Sequence, residues 1–486
     1  MKNLISSFLL LLVPLVATAE SGLHCAKSVF SQPNVRFMQK VNSSHADAVL
    51  GVKGLPAGLK WNARRNLVEG KIKKPGTYVY TITCTHNGHV CEERVTLNVQ
   101  NNLPLPLPFM GWLSWNSVEG DVSETIVKSV ADMFKANGLF EAGWNTIMMD
   151  DLWQARQRTD DGKPLPDPKR FPNGLRPVAD YVHSKGMKFG LYTDAANKTC
   201  AGAFGSYGYE LTDAEQYTQW NVDIVKCDYC HAPTERDSAI VRYRRLGDAF
   251  KAVSRPITLY ICEWGDRKPW LWGAESGGSC WRVSADVRDR WTCEPGGTGV
   301  VESIKAMKDL ALYSGVNRFN DADMLCMGLH GKGKSSNDLC FGTPGMTQDE
   351  YATQFALWCM WSSPMALSFD PRANTVTKED LKILTNRHLI ALNQDRMGQQ
   401  ADFISDADSL VVFAKDLENG DVALSVTNMA NKQLEATFNF SKIPALDANK
   451  RYQCRDLWTG EKLSAVKRSF TTKVRPPATS VFRLSL

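Results

Sequence analysis

Between residues 108 and 370 the chain repeats one rhythm: a short apolar run, then a segment of helical period. The runs fall at 108–115 (PFMGWLSW), 146–153 (TIMMDDLW), 188–195 (KFGLYTDA), 221–230, 257–265 (ITLYICEWG), 279–287 (SCWRVSADV), 316–324 (VNRFNDADM) and 364–370 (PMALSFD). Runs of this length bounded by turn residues read as buried parallel strands, and segments such as SETIVKSVADMFKANG and RDSAIVRYRRLGDAFKAV read as the helices between them. Eight such units predict a (β/α)8 TIM barrel over 109–398. A doubly wound open sheet is disfavoured, because no Gly-x-Gly-x-x-Gly follows the first strand.

The flanks differ. Residues 20–100 alternate apolar and polar with turn signals, which predicts a small immunoglobulin-like β-sandwich, and NNLPLPLP at 101–108 reads as a stiff linker. From 399 to 486 the pattern is again all strand and predicts a C-terminal antiparallel β-sandwich domain. Residues 1–19 carry one Lys, an apolar stretch and an Ala17-Thr18-Ala19 cleavage site, the marks of a signal peptide. A secreted or periplasmic protein is expected, with no later run fit to cross a bilayer. The net charge of +5 is spread along the chain; its basic runs, Lys71 to Lys74 and Arg242 to Arg245, are short, and nucleic acid is not expected as a partner.

Thirteen cysteines in an exported chain predict disulfides, with at least one thiol unpaired. Cys84 and Cys91 flank an Asn87-Gly88 turn and are expected to bond across a hairpin. A zinc site from Cys84, His86, His89 and Cys91 is disfavoured, since a tight hairpin points those groups to both faces.

Nearly every barrel strand ends in polar or aromatic groups: Trp115, Asp150 and Asp151, Tyr192 and Asp194, Asp228, Glu263, Arg282 and Asp286, Asp323, then Asp370. In a barrel these ends meet at one face, where active sites are built. Any one Asp alone reads as a helix cap; so many strands behaving alike do not. Carboxylates without histidine ligands suit neutral polyols, and Trp115, Trp153, Tyr192 and Trp264 offer walls for sugar rings. A metallohydrolase barrel needs several histidines at strand ends, and of eight only His231 lies there. No cofactor or metal is expected.

Glycoside hydrolysis needs one ionised and one protonated carboxyl. In VKCDYC, Lys226, Asp228 and Cys230 share one strand face and Cys227 and Tyr229 the other. Lys226 would hold Asp228 ionised as a nucleophile. Spacing leaves Asp286 and Asp323 both open as the acid.

MGWLSWN, MMDDLWQ, KFGLYTDAANKTCAG, VKCDYC, CEWG, WRVSADV and NDADML, in that order, resemble the α-galactosidases of glycoside hydrolase family 27 over about residues 105–400. The resemblance implies Asp228 as nucleophile and Asp286 as acid/base. It implies sugar-binding roles for Trp115, Asp150, Asp151, Tyr192, Lys226, Glu263, Arg282 and Asp323, with the aspartate pair on O4 and O6 of galactose, and a Cys200–Cys230 disulfide. It further implies that Glu263 fills the space that N-acetylgalactosamine enzymes of the clan open with small residues, and that the intact Asp150-Asp151 pair argues against a β-L-arabinopyranosidase. The family usually has Trp where Phe319 stands. The expected activity is retaining release of terminal α-D-galactose from a carbohydrate partner. A galactoside-binding protein without catalysis is the alternative, disfavoured because both carboxylates are present.

Overall fold

The computed structural model describes residues 22–293, 297–334 and 345–486. The leader expected over residues 1–19 lies outside them. Eight parallel strands form the central sheet: β1 (Met110–Leu113), β2 (Thr146–Met148), β3 (Lys188–Asp194), β4 (Ile224–Asp228), β5 (Thr258–Ile261), β6 (Gly278–Arg282), β7 (Phe319–Asp321) and β8 (Met365–Leu367). Their order is β7-β6-β5-β4-β3-β2-β1-β8. Just past β7 the Leu325 amide donates to the Ala366 carbonyl of β8 at 2.8 Å, and the Leu325–Leu367 bridge closes the ring. The result is a TIM barrel.

Helices cover the outside. Ser123 caps the helix Glu124–Ala136 by accepting from the Ile126 amide, and the helix buries Ile126, Val127, Val130, Ala131 and Phe134 on one side. Gly138, at φ +73°, then turns the chain. Inside the barrel, Phe109, Leu113, Met148, Ile224, Tyr260, Cys280 and Phe319 pack as one apolar plug. Phe319 therefore sits in this core, below the polar strand ends. The prolyl stretch expected as a linker is packed as well: Leu105 joins the plug, and its amide donates to Asn317 Oδ1 at 2.9 Å. It corks the barrel at the end where the strands begin.

The N-terminal region forms a four-stranded sheet (Ser28–Ser31, His89–Val99, Gly76–His86, Val49–Lys53) and a three-stranded one (Arg36–Lys40, Leu67–Lys71, Leu59–Asn62). Val29, Phe37, Val68, Tyr80, Ile82, Val95 and Leu97 fill the space they share. Cys84 and Cys91 face each other across the hairpin but carry free thiols, contrary to expectation. The two-residue turn makes His86 and His89 the closing hydrogen-bonded pair, so Cys84 and Cys91, two pairs on, fall in the same phase. There the backbones stand wider apart than at a non-hydrogen-bonded pair. Cys84 instead packs inward, its Sγ 3.7 Å from Ser43 Oγ. Nine described cysteines are free and most of them are buried, so thiols serve mainly as core residues; Cys293, by contrast, is disulfide-bonded.

The C-terminal domain is an eight-stranded antiparallel sheet from Asp402 to Ser485. It folds over itself into two layers, so that Phe438 of an edge strand meets Phe482 of a central one at 6.2 Å. Buried Lys415 docks it on the barrel. Its Nζ donates to Cys359 O, Met360 O and Ser362 Oγ, at 3.3, 3.2 and 2.6 Å, satisfying carbonyls at the end of helix Gln348–Trp361. Burial pushes the Lys415 ammonium down to about 7.

The N-terminal region bridges both neighbours. Arg65 grips Asp416 with two hydrogen bonds of 3.0 and 2.6 Å, the side chains only 9% and 5% exposed. Lys40 pairs with Asp402 at 2.6 Å, and Gln399 Nε2 donates to Met38 O at 3.1 Å. Removing one member of a buried pair strands the other charge. Arg65→Ala should therefore lower stability by about 3–5 kcal/mol in calorimetry. Arg64→Ala, which removes a single exposed contact to Pro444 O, should stay within about 0.5 kcal/mol.

Candidate active site

At the ends of the strands, above the apolar plug, lies a cavity of about 530 Å³. On β4 the two-residue period carries the inward face from Ile224 in the plug to Lys226 and then Asp228 on the cavity wall, while Val225 and Cys227 turn to the helices. The same period on β2, β3 and β6 leads from Met148 to Asp150, from Gly190 to Tyr192 and from Cys280 to Arg282.

Lys226 is the hub. Its Nζ sits 2.6 Å from Asp150 Oδ2 and 3.9 Å from Asp228 Oδ1, and all three groups are at least nine-tenths buried. Burial disfavours the ammonium, but Asp150 and Asp228 outweigh it and hold Lys226 charged. Asp150 is aimed from behind, its amide donating to Ser114 Oγ at 2.9 Å. Asp151 accepts from the Leu152 and Ala201 amides at 2.7 and 2.8 Å. Ala201 lies beside the Cys200–Cys230 disulfide, so that bond ties the end of β4 to the loop that holds Asp151.

The two oxygens of Asp228 are unlike. Oδ2 accepts from Tyr192 Oη at 2.9 Å and lies 3.3 Å from Cys200 Sγ. Oδ1 accepts no hydrogen bond from the described residues. Asp286 also lines the cavity, with its side chain 34% exposed and Oδ1 3.2 Å from Arg282 Nη2. The same Nη2 is 3.0 Å from Asp323 Oδ2, which also accepts from the Val287 amide at 2.7 Å.

Burial pushes the Asp228 carboxyl up to about 7, against the pull of Lys226. Burial also acts to raise Asp286, but Arg282, Lys226 and Arg288 together hold it below the ordinary carboxylate value. The two carboxyls share one cavity, so their titration belongs to the pair. Between the two values the pair holds one proton.

Trp115, Asp150, Asp151, Tyr192, Lys226, Asp228 and Asp286 thus meet in one cavity. Arg282 and Asp323 stand behind its wall and reach it through Asp286. Two expectations need correction. Glu263 does not fill the cavity; it is fully buried, and its Oε2 accepts from the Arg267 amide and Nη1 at 2.8 and 3.1 Å. Alternation along β5 puts Tyr260 and Cys262 inward and Glu263 outward, and Cys262 Sγ lies 3.7 Å from Arg282 Nη1. Trp153 is no wall either. It is buried among Phe204, Tyr217 and Trp220, with its Nε1 donating to Tyr192 O at 2.8 Å.

Asp194 and Asp370 serve their own loops. Asp194 accepts from the Cys230 and Ala196 amides, both at 2.9 Å, and Asp370 pairs with Arg372 at 2.7 Å. Asp194, Cys200 and Cys230 also form the one grouping of possible metal ligands among the described residues, but its two sulfurs are bonded to each other. Trp264, Asp266, Ala285, Arg288 and Met324 line the cavity too; of these the strand-end reading had found only Trp264.

A TIM barrel whose strand ends set two carboxyls, a lysine and aromatic groups around one cavity defines the glycoside hydrolase class of barrels. The family model for alpha galactosidase A matches residues 107–395, that for the alpha galactosidase C-terminal β-sandwich domain matches 407–484, and the chain belongs to this family. Alpha-galactosidase A of Cellvibrio japonicus is 34% identical over 392 residues, 78% of this chain and 92% of that protein. A probable alpha-galactosidase of Dictyostelium discoideum is 32% identical over 80% of this chain and 95% of its own length. A Bacteroides fragilis structure, itself a candidate alpha-galactosidase, superposes with a TM-score of 0.75 at 33% identity over 96% of this chain and 98% of that one. That coverage is too great to leave out the N-terminal sheets. The structure of alpha-galactosidase I from Mortierella vinacea gives a TM-score of 0.71 at 27% identity, covering 79% of this chain and 98% of that one.

A pair that must hold one proton to act gives a bell-shaped kcat/KM profile. The alkaline limb should lie near the Asp228 value of about 7, with the optimum on its acid side. Lys226 favours the ionised carboxylate, so Lys226→Met should move that limb to higher pH while lowering the rate. An unmoved limb in the pH profile would show that Lys226 does not set it.

Proposed function

We propose that the protein is a retaining exo-α-galactosidase that releases terminal α-D-galactose from oligo- or polysaccharides, with Asp228 as nucleophile and Asp286 as acid/base. The carrying observation is the asymmetry of Asp228: one oxygen held by Tyr192, the other open. In the one-proton form with the proton on Asp286, that carboxyl protonates the glycosidic oxygen while Asp228 Oδ1 attacks the anomeric carbon. Asp286, then a base, takes a proton from water, which attacks the galactosyl ester and frees Asp228. Retention of configuration follows from the two inversions.

Asp150 and Asp151 are the groups for the 4- and 6-hydroxyls of galactose, Lys226 keeps the floor charged, and Trp115 supports the ring. Arg282 and Asp323 position Asp286. The intact aspartate pair favours galactose over an arabinopyranoside. Trp264, within the CEWG stretch where N-acetylgalactosamine enzymes of the clan carry small residues, lines the cavity, and this favours galactose again. The apolar, small-residue leader supports export. The two N-terminal sheets support an immunoglobulin-like module acting as a brace, since its contacts run to the C-terminal domain through Arg65–Asp416 and to the end of the barrel region through Met38 and Leu67 on Met397.

Proton NMR during hydrolysis of p-nitrophenyl α-galactoside should show α-galactose first. Asp228→Asn should abolish turnover of both p-nitrophenyl α-galactoside and raffinose. Asp286→Asn should cost about 10²–10⁴-fold on raffinose and far less on p-nitrophenyl galactoside, whose leaving group needs no proton. β-Galactose as first product, or equal losses for Asp286→Asn on both substrates, would overturn the assignment.

A further inference from the structure

The cavity of about 530 Å³ lies well within the range that encloses a drug-sized ligand, more than one pyranose needs. The galactose groups Asp150, Asp151 and Lys226 gather at its buried end, each at most 4% exposed. Asp286, at 34% exposure, marks the level at which the glycosidic bond breaks. Two further charged side chains line the cavity from separate loops. Asp266, on the loop after β5, has a side chain 66% exposed and belongs to the mouth. Arg288, two residues beyond Asp286 on the loop after β6, is 5% exposed, so its guanidinium is held in place. Gly297 leaves the room it needs, for a Cβ there would stand 3.1 Å from Arg288 Cγ.

We propose that Asp266 and Arg288 form the leaving-group subsite, and that they select a second sugar as the leaving group. The proposal rests on the α-galactosidase reading above. A carboxylate that accepts and a guanidinium that donates, on the neighbouring loops after β5 and β6, match the hydroxyls of a pyranose; an aryl or alkyl leaving group has no hydroxyl to donate to Asp266. Trp264, on the same loop as Asp266, supplies aromatic surface.

The same subsite admits an acceptor sugar. Its hydroxyl oxygen then bonds to the anomeric carbon of the galactosyl ester, its proton passes to Asp286, and the Asp228 carboxylate leaves with the electrons of the ester bond. Asp266 and Arg288 thus govern how the intermediate divides between water and sugar.

The test compares raffinose with p-nitrophenyl α-galactoside for the wild type, Asp266→Ala and Arg288→Gln. The ratio of kcat/KM for raffinose to that for the aryl substrate should fall about tenfold in each variant, the loss of one charge-assisted hydrogen bond, with the acid limb of the aryl-substrate pH profile unmoved, which separates the contact from the hold of Arg288 on Asp286. With p-nitrophenyl galactoside as donor and glucose added as acceptor, the ratio of transfer to hydrolysis should fall in parallel. The inhibition constant of galactose should stay within about twofold, separating this subsite from the galactose end. An unchanged substrate ratio, or equal losses on both substrates, overturns the proposal with the galactosidase reading intact. A wild type that releases galactose from neither substrate overturns that reading and the proposal with it. Asp266→Ala alters an exposed side chain and decides the matter even where Arg288→Gln does not fold.

Discussion

One buried cation organises this protein. An ammonium enclosed in a barrel is costly unless partners surround it, and Lys226 meets that condition with Asp150 at 2.6 Å and Asp228 at 3.9 Å. Because the ammonium lies nearest Asp150, Asp228 is attracted to it without being consumed by it. A tighter pair would hold the carboxylate too firmly to bond to carbon, and without the ammonium burial would push the Asp228 carboxyl up further still. The apolar plug beneath excludes water from the floor and so gives these charges their strength.

The walls depend on the floor. Tyr192 orients one oxygen of Asp228, and the Cys200–Cys230 bond joins the end of β4 to the chain beside Ala201, whose amide holds Asp151. One covalent link thus serves both the attacking group and one of the carboxylates facing the sugar. On the other side Arg282 contacts Asp286 and Asp323 through a single nitrogen, so the acid is positioned by a residue that does not line the cavity.

The barrel was legible because its strands are short apolar runs and its helices carry one apolar side, patterns that burial alone imposes. The site was legible as far as the strands extend. Ile224, Lys226 and Asp228 follow the two-residue period, and the same rule points to Cys262 in place of Glu263. Where the backbone turns to positive φ beyond a strand the period fails. Leu152 at φ +69° turns Trp153 outward into the helices, and Asp323 sits at φ +75° behind Asp286. Strand spacing could not rank Asp286 against Asp323, because loop backbone decides which carboxyl faces the cavity; family resemblance supplied that choice. The Cys84–Cys91 expectation failed on hairpin phase, which a count of residues across the turn would have revealed.

The contact between Arg65 and Asp416 joins positions 351 residues apart. A chain emerging from the ribosome N-terminus first must complete the N-terminal sheets, thread eight strands and begin the last domain before Asp416 exists to be met. Until then the surface around Met38 and Leu67, which later packs on Met397, has no cover. The clasp is therefore a signature of completion: it closes the two ends of the polypeptide over the barrel between them, and a chain cut short before its final domain lacks it.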